Sequence, residues 1–344
     1  MVNTPSKNLT RIWNWGRLFI GILGLVIVVY AVAEEDALLN TFTQVDLLLA
    51  FVAFSMHIFA TLFKTLRWWL VLRESQINIG FQRLFGTYLV GIFFGQFMPG
   101  ASMSGDAIRM MEASIDTGRT VTSVSSVLIE RAIGMITIVA SASLIMIIAP
   151  QEELTGTLAY WVLHLLSVLG IGILVILRMG WFIEPIVHVL SLLRLQKLGD
   201  KINTLSQALQ GHLGKGRMLL NMVVLSAIIN LLILTSSYIV LLSLGESTPY
   251  VSFIPLIALA AAVETIPLSP GALGLREATY VTFLSTYLDV SPAAALSTAL
   301  IVRVMAWALA IMGGIVFVAR AAETKEESRQ QQPMPSHPTA WKGS

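Results

Sequence analysis

The sequence predicts an all-α polytopic membrane protein: six full spans, two broken re-entrant helical hairpins in an inverted repeat, and both termini on the cytoplasmic side. Three observations predict it. Hydrophobic residues make up 56% of the 344 residues and charged residues only 12%, about half the charge of an ordinary soluble domain. The apolar residues fall in runs of the roughly 20 residues that a helix needs to cross a hydrocarbon core about 30 Å thick. Lys and Arg sit between these runs, alternating from loop to loop. So few charges cannot cover a water-facing surface of this size, which excludes a soluble enzyme, a disordered regulator and a collagen-like chain. The chain has no Cys, so disulfides, thiolate catalysis and Cys-ligated metals are excluded.

Six runs have spanning length: Trp15–Ala33, Leu47–Leu72, Thr122–Ala149, Leu158–Leu177, Met218–Leu244 and Pro292–Ala319. In the first, Lys7, Arg11 and Arg17 precede or open an apolar stretch, and Ala31-Val32-Ala33 imitates a signal-peptide cleavage site. Its near-spanning length and the spans that follow favour an uncleaved anchor behind a cytoplasmic segment, residues 1–14. Two further runs are too short or broken. Leu84–Met98 stops at Pro99-Gly100. Val251–Leu268 is interrupted by Pro255 and Pro267 and breaks at Pro270-Gly271.

Orientation follows from bases in short loops, which stay on the cytoplasmic side. Lys7 and Arg11, then Arg73 and Arg83, then the stretch from Arg178 to Arg217, and finally Arg320, Lys325 and Arg329 place those segments inside. The loops with Glu34, Glu35, Asp36 and Asp46, with Gln151-Glu152-Glu153, and from Gly245 to Tyr250 lack bases and lie outside. Parity then requires that 84–118 enters from and returns to the cytoplasm, and that 251–289 enters from and returns to the outside. The linker 180–216 carries Ile186, Leu190, Leu193, Leu198, Ile202, Leu205 and Leu209 among polar residues. It predicts one or two helices, lying on the membrane surface or packed as a solvated hairpin. From Glu323 on, within the tail 321–344, the chain is charged, Gln-rich and Pro-rich and is expected to be disordered.

The two broken segments repeat one pattern. Met98-Pro99-Gly100-Ala101 followed by Gly105-Asp106-Ala107-Ile108-Arg109 corresponds to Ser269-Pro270-Gly271-Ala272 followed by Gly274-Leu275-Arg276-Glu277. At nearly equal distance beyond each break, Leu128-Ile129-Glu130-Arg131 corresponds to Leu300-Ile301-Val302-Arg303. The halves, 47–149 and 218–319, run oppositely through the membrane. Inverted repeats with helices broken at matching positions point to a transporter's binding site. The break residues are Pro99, Gly100, Gly105, Pro267, Pro270, Gly271 and Gly274.

Charge inside a span costs roughly 2.5–3.5 kcal/mol at a helix centre. The candidates for substrate contact are therefore Asp106, Arg109, Glu130, Arg131, Glu264, Arg276, Glu277 and Arg303. Their balanced signs predict mutual pairing around one polar cavity. Arg303, too deep to snorkel, is the residue that most needs a partner or a bound anion, and Arg131 is its counterpart. The competing structural reading is that Glu130–Arg131 and Arg276–Glu277 only pin helices together. A helix starting near Gly105 would turn free N–H groups toward an anion beside Arg109, or Asp106 would simply cap it. Lys64 and Arg67, with Trp68 and Trp69, fit snorkelling and an aromatic belt. Gly91 and Gly95 suit close helix packing, and Asn230 a helix–helix contact. His57, His164, His188 and His212 have no metal-ligand spacing, and Gly211–Arg217 lacks the Gly-Lys-Ser/Thr of a phosphate-binding loop. No catalytic residue, metal, cofactor or nucleic-acid partner is expected.

At Phe93-Phe94 through Met98-Pro99-Gly100, at Ser104-Gly105-Asp106-Ala107-Ile108-Arg109, at Leu128 through Gly134 and at Pro267 through Ala278, the sequence resembles the flippase-like membrane family related to the transmembrane region of lysylphosphatidylglycerol synthases. The resemblance covers about residues 15–320. Two positions depart from it: Ser104 where Gly is usual before Gly-Asp, and Ala272 where a second Gly is usual. Both residues are small and keep the breaks plausible. The resemblance implies movement of lipids or lipid-linked head groups between leaflets, or service to a lipid-modifying enzyme. Full-length synthases carry a soluble aminoacyl-transfer domain after the membrane region. The residues after 320 are too few for one, so no synthase activity is expected. The expectation is a plasma (inner) membrane transporter that flips an anionic or phosphate-bearing lipid, alone, as a homo-oligomer or beside a lipid-synthesis enzyme. An intramembrane head-group transferase using Asp106 or Glu264 as base, and a non-catalytic partner of a lipid or glycan synthesis complex, remain the alternatives.

Overall fold

The computed structural model describes residues 43–98, 102–152, 154–181, 183–266 and 268–330, with a few positions between 22 and 30. Most of the run Trp15–Ala33, and the break residues Pro99, Gly100 and Pro267, lie outside the described residues. In chain order the helices are α1 (Leu47–Glu74), α2 (Phe81–Phe97), α3 (Ser102–Thr117), α4 (Thr120–Ile148), α5 (Leu158–Met179), α6 (Ile183–Leu192), α7 (Gln196–Leu213), α8 (Gly216–Ser243), α9 (Tyr250–Val263), α10 (Leu275–Leu288) and α11 (Pro292–Gln330), with a short 3-10 turn, Pro270–Ala272, between α9 and α10. Among the described residues, α1, α4, α5, α8 and the Pro292–Ala322 part of α11 are long and apolar enough to cross a membrane. Two expectations change. Helix α11 runs on to Gln330, so the stretch from Glu323 begins as helix rather than disorder. Helix α3 begins at Ser102, which puts Gly105 and Asp106 inside it rather than at its start.

The four short helices α2, α3, α9 and α10 have 17, 16, 14 and 14 residues, below the length of a full crossing. Helices α2 and α3 form an antiparallel hairpin, as their contacts show rung by rung. At the base Arg83 pairs with Asp116. One turn on, Thr87 donates to Glu112 (2.6 Å). Gly91 then faces Gly105, and near the tip Ser104 Oγ donates to the Phe94 carbonyl (2.9 Å). A Cβ on Gly105 would lie 2.1 Å from the Gly91 carbonyl oxygen. Gly105 is thus a packing residue and not a break.

The halves interlock. Helices α1 and α8 pack antiparallel along their length. Asp46, which caps α1 by accepting from Leu48 and Leu49 N–H, itself donates from its backbone to the Ser243 carbonyl. Further along, Ser236 Oγ donates to the Ala53 carbonyl and Arg67 donates to Ser226. Small and hydroxyl side chains at this seam let the backbones approach and supply hydrogen bonds where no water competes. The first arm of each hairpin packs on the last span of the opposite half, α2 on α11 and α9 on α4. In the first of these seams a Cβ on Gly313 would lie 2.0 Å from the Leu89 carbonyl oxygen, a contact only glycine permits. Each half thus packs a hairpin arm on the last long helix of the other.

The linker forms two helices. Helix α7 carries Leu209 and Leu213 against Ile129, Ile133 and Met222, and its His212 meets Ser125 of α4 (3.2 Å). Helix α6 buries no residue and leaves Ile186, Val189 and Leu192 exposed.

Candidate functional site: a charged cavity between the two hairpins

Adjacent residues on a helix point about 100° apart and cannot face the same partner. Glu130 and Arg131 accordingly do not pair with each other, and neither do Arg276 and Glu277. Each charge reaches another helix.

Around the first hairpin, Glu130 on α4 is the hub. Its carboxylate accepts from Arg67 of α1 (2.8 Å) and from Arg109 of α3. Tyr88 of α2 donates to it at 3.4 Å. The Arg109 guanidinium also lies over the faces of Trp68 and Tyr88, 4.4 and 4.1 Å from the ring centroids, a favourable place for a desolvated cation. Arg131 instead contacts Asp106 (2.7 Å), which Arg109 shares (3.3 Å). Asp106 is thus an ion-pair acceptor rather than a helix cap. At the hairpin base Arg320 of α11 joins Glu112 and Thr87.

The second hairpin has its own network. Glu264, at the C-cap of α9, accepts from Arg276 Nε (2.9 Å) and Nη2 (2.6 Å) across the break. Gly271 and Ala272 both take positive φ, 55° and 54°. A Cβ in this backbone costs about 1–2 kcal/mol, a cost that Ala272 bears and Gly271 avoids. The turn leaves carbonyls without helical partners, and Arg303 fills them. Its Nη1 donates to Gly271 O (3.0 Å) and its Nη2 to Ala272 O (3.1 Å). Its Nε and Nη2 also hold Glu277 (2.5 and 3.0 Å). Glu277 in turn accepts from the N–H of Gly274, which has φ 79° and starts α10.

Between the hairpins lies a cavity of about 340 Å³ to which both halves contribute. Asp106, Arg109, Arg131, Glu264 and Arg276 line it, and Glu130, Glu277 and Arg303 do not. The two tips meet here. A Cβ on Gly271 would stand 2.6 Å from Gln96 Oε1. Gln96 Oε1 and Arg276 Nη1 are buried without a hydrogen-bond partner among the described residues, which marks them as groups awaiting something polar. Arg303 is the largest departure from the sequence expectation. It sits next to the cavity but turns its whole guanidinium onto the protein.

Sequence reasoning missed His57, Lys64, Tyr88 and Gln96, which also line the cavity. Lys64 and Arg67 do not snorkel. Arg67 is buried in the Glu130 pair, Lys64 faces the cavity, and Trp68 is fully buried, donating to Ser126 (3.1 Å). The signal was there: His57, Thr61, Lys64 and Arg67 recur at three- and four-residue intervals in an otherwise apolar helix. Such a stripe lies on one helix face, and Lys64 is ten residues from Glu74, about 15 Å of helix rise. Gly91 packs against Arg109 and Gly105 as expected of close helix contact, and Asn230 reaches the Gly134 carbonyl on α4 (3.5 Å).

A sequence-family model described as the lysylphosphatidylglycerol synthase TM region matches residues 15–314. No curated protein matches the chain.

Proposed function

Because the chain belongs to the lysylphosphatidylglycerol synthase TM-region family, and so is a membrane protein connected with lipid metabolism or transport, we propose that it moves an anionic or phosphate-bearing lipid between leaflets through the cavity between its two hairpins. The observation that carries this reading is the cavity itself: charged side chains from both halves line one space, where Gln96 near the end of α2 meets Gly271 of the second break. Backbone without helical partners is tolerated at membrane depth only where protein or a water-filled cavity satisfies it, and a site shared by inverted halves is the arrangement alternating access uses. In this reading 84–118 and 251–289 are re-entrant from opposite sides, six spans cross the plasma membrane, and both termini are cytoplasmic.

Head-group transfer with Asp106 or Glu264 as base has less support. Both carboxylates accept from Arg, and a base held as an ion-pair acceptor is poorly placed to take a proton. A purely scaffolding role predicts that neutral replacements in the cavity are harmless.

The test is reconstitution of the purified chain in liposomes with a panel of labelled lipids, scored for leaflet exchange. Exchange of anionic lipids is expected, and Arg131→Gln lowers it at least tenfold. Absence of exchange for every lipid tried overturns the reading. Topology is tested separately, since the chain has no Cys. Of Ser114→Cys, Glu152→Cys, Asn203→Cys and Ser247→Cys, only positions 152 and 247 should label from outside. External labelling at 114 removes the first re-entrant hairpin.

A further inference from the structure

Among the described residues around the cavity, Lys64 is the cation that the ion-pair network leaves over. Six cations, Lys64, Arg67, Arg109, Arg131, Arg276 and Arg303, surround four carboxylates, Asp106, Glu130, Glu264 and Glu277, in and around the cavity. Each Arg has a carboxylate partner. The ammonium of Lys64 has no carboxylate or hydrogen-bond partner among the described residues. Lys64 lines the cavity instead of closing an ion pair, so its three donors are open to an anion that enters there. Arg276, which lines the same cavity from the other half, adds the donor Nη1, without a partner among the described residues.

Lys64 also lines a second space. This groove, about 690 Å³, runs between α4 and α5 past α8 and α9. Ile136, Leu166, Leu169, Ile173 and Ile266 give it an apolar wall. Leu169 and Ile173 are more than half exposed on the outer surface of the helices, so the groove opens sideways. The cavity and the groove share Lys64, Asp106, Arg109 and Arg131. Together they make one compartment, charged at its inner end and apolar toward the side. Both volumes lie in the range that holds small ligands, roughly 300–1,000 Å³.

We propose that Lys64 is the contact that selects a phospholipid of net negative head-group charge, and that the α4–α5 groove takes the acyl chains of that same lipid as it enters sideways. The proposal rests on the transport reading and deepens it. The occupant is fixed by complementarity at both ends: surplus positive charge where a phosphate would sit, and an open hydrocarbon wall where chains would lie. A free phosphate would leave the wall unused, and in a zwitterionic lipid the head group's own cation would offset its phosphate and meet the same surplus positive charge. A Lys ammonium suits this task because it is a compact charge with three donors that can follow a phosphate into different positions.

The test measures binding rather than exchange, so its failure and that of the transport reading are separable. The full chain is placed in nanodiscs of neutral lipid, and the affinity for a fluorescent phosphatidylglycerol is compared with that for the matching phosphatidylcholine and with competition by inorganic phosphate. Phosphatidylglycerol is expected to bind at least tenfold tighter than phosphatidylcholine. Lys64→Gln removes that preference without lowering melting temperature, since it deletes an unpaired charge, and Lys64→Arg retains it. Leu169→Trp, on the exposed wall, weakens both lipids about equally by filling the groove. Added phosphatidylglycerol raises the melting temperature of the native chain and not of Lys64→Gln. Unchanged preference in Lys64→Gln, or competition by inorganic phosphate as strong as by the lipid, overturns the proposal. Selective binding without any leaflet exchange leaves it standing and removes the transport reading.

Discussion

The first hairpin and the second use one device with opposite signs. In the first, Arg109 on the returning arm meets Glu130 on the span that follows. In the second, Glu277 on the returning arm meets Arg303 on the following span. What surrounds these pairs differs. The second pair is closed: Arg303 and Glu277 are 3% and 0% exposed at their side chains, and their remaining contacts go to the backbone of the break. The first pair is nearly as buried, 6% and 1%, but beside it Arg131 pairs with Asp106 at 28% and 13% exposure and faces the cavity. A sealed ion pair fixes geometry, and a partly open one leaves charge available to a ligand. The comparison teaches that matched positions in the two halves can divide the work: Arg303 holds a turn in place, while Arg131 presents charge to the cavity.

The largest expected effect tests the sealed pair. Arg303→Met or Glu277→Gln alone leaves a buried charge or a set of carbonyls unmet and should cost about 3–5 kcal/mol, read as loss of folded protein and a lower melting temperature. The double variant should recover part of that loss. Arg303→Lys cannot reproduce a fork that reaches a carboxylate and two carbonyls. It should lower stability, with transport falling only in proportion to the folded fraction. Normal stability with transport lost would instead make Arg303 a substrate contact, as the sequence alone suggested, and the two hairpins would no longer differ.

Next is the packing of the first hairpin. Gly105→Val places a branched side chain where the Gly91 carbonyl already sits. Backbone cannot yield as a side chain can, so a cost of about 1–3 kcal/mol or more is expected, visible as a lower melting temperature and as loosened protection of α2 and α3 in hydrogen exchange. Protection unchanged in both arms would mean the hairpin is held by its charges rather than by its glycines.

Arg131→Gln sharpens the contrast from the open side. Its stability cost should stay near 1 kcal/mol, because the pair is partly exposed and Asp106 keeps Arg109. Leaflet exchange should nevertheless fall at least tenfold. A stability loss as large as that of Arg303→Met would show that both pairs are sealed alike.

The smallest effect lies outside both hairpins. Burial of His212 against α4, helped by the nearby positive charge of Lys215, lowers its pKa from the ordinary 6.5. The unfolded chain therefore takes up the proton first. The stabilising contribution is complete above pH 6.5 and declines as pH falls from there toward the lowered folded value. Melting temperature measured between pH 7.5 and 5 should show this decline, and His212→Asn should remove that component of it. An identical pH profile in the variant would exclude His212 as its source.

Much of the fold was legible because hydrophobicity is a local property. The runs Leu47–Leu72, Thr122–Ala149, Leu158–Leu177, Met218–Leu244 and Pro292–Ala319 each correspond to a long apolar helix, and Pro270-Gly271 falls in the non-helical turn between α9 and α10. The matched motifs in the two halves found both hairpins because a broken helix leaves its mark in Pro, Gly and small residues. Most of the buried or cavity-facing charges were also readable, Arg67 and Lys64 excepted, since few residues other than functional or paired ones justify a charge in such a run.

The partners were not legible. Whether Glu130 meets Arg131 or Arg67 depends on the rotation of α4 about its axis and on which helices lie beside it, and neither is written locally. Lys64 looked peripheral because an aromatic pair followed it. Its depth mattered only once α1 lay against α8 with the His57–Arg67 stripe turned inward. Arg303 looked available because its neighbour is Val302, but the folded break supplied two carbonyls and Glu277 from segments earlier in the chain. Composition and periodicity determine that this chain is helical, apolar enough for a membrane and broken at two related places. Tertiary packing alone decides which charges cancel and which remain facing the cavity, because ion pairing is set by distance and desolvation between helices rather than by order along the chain.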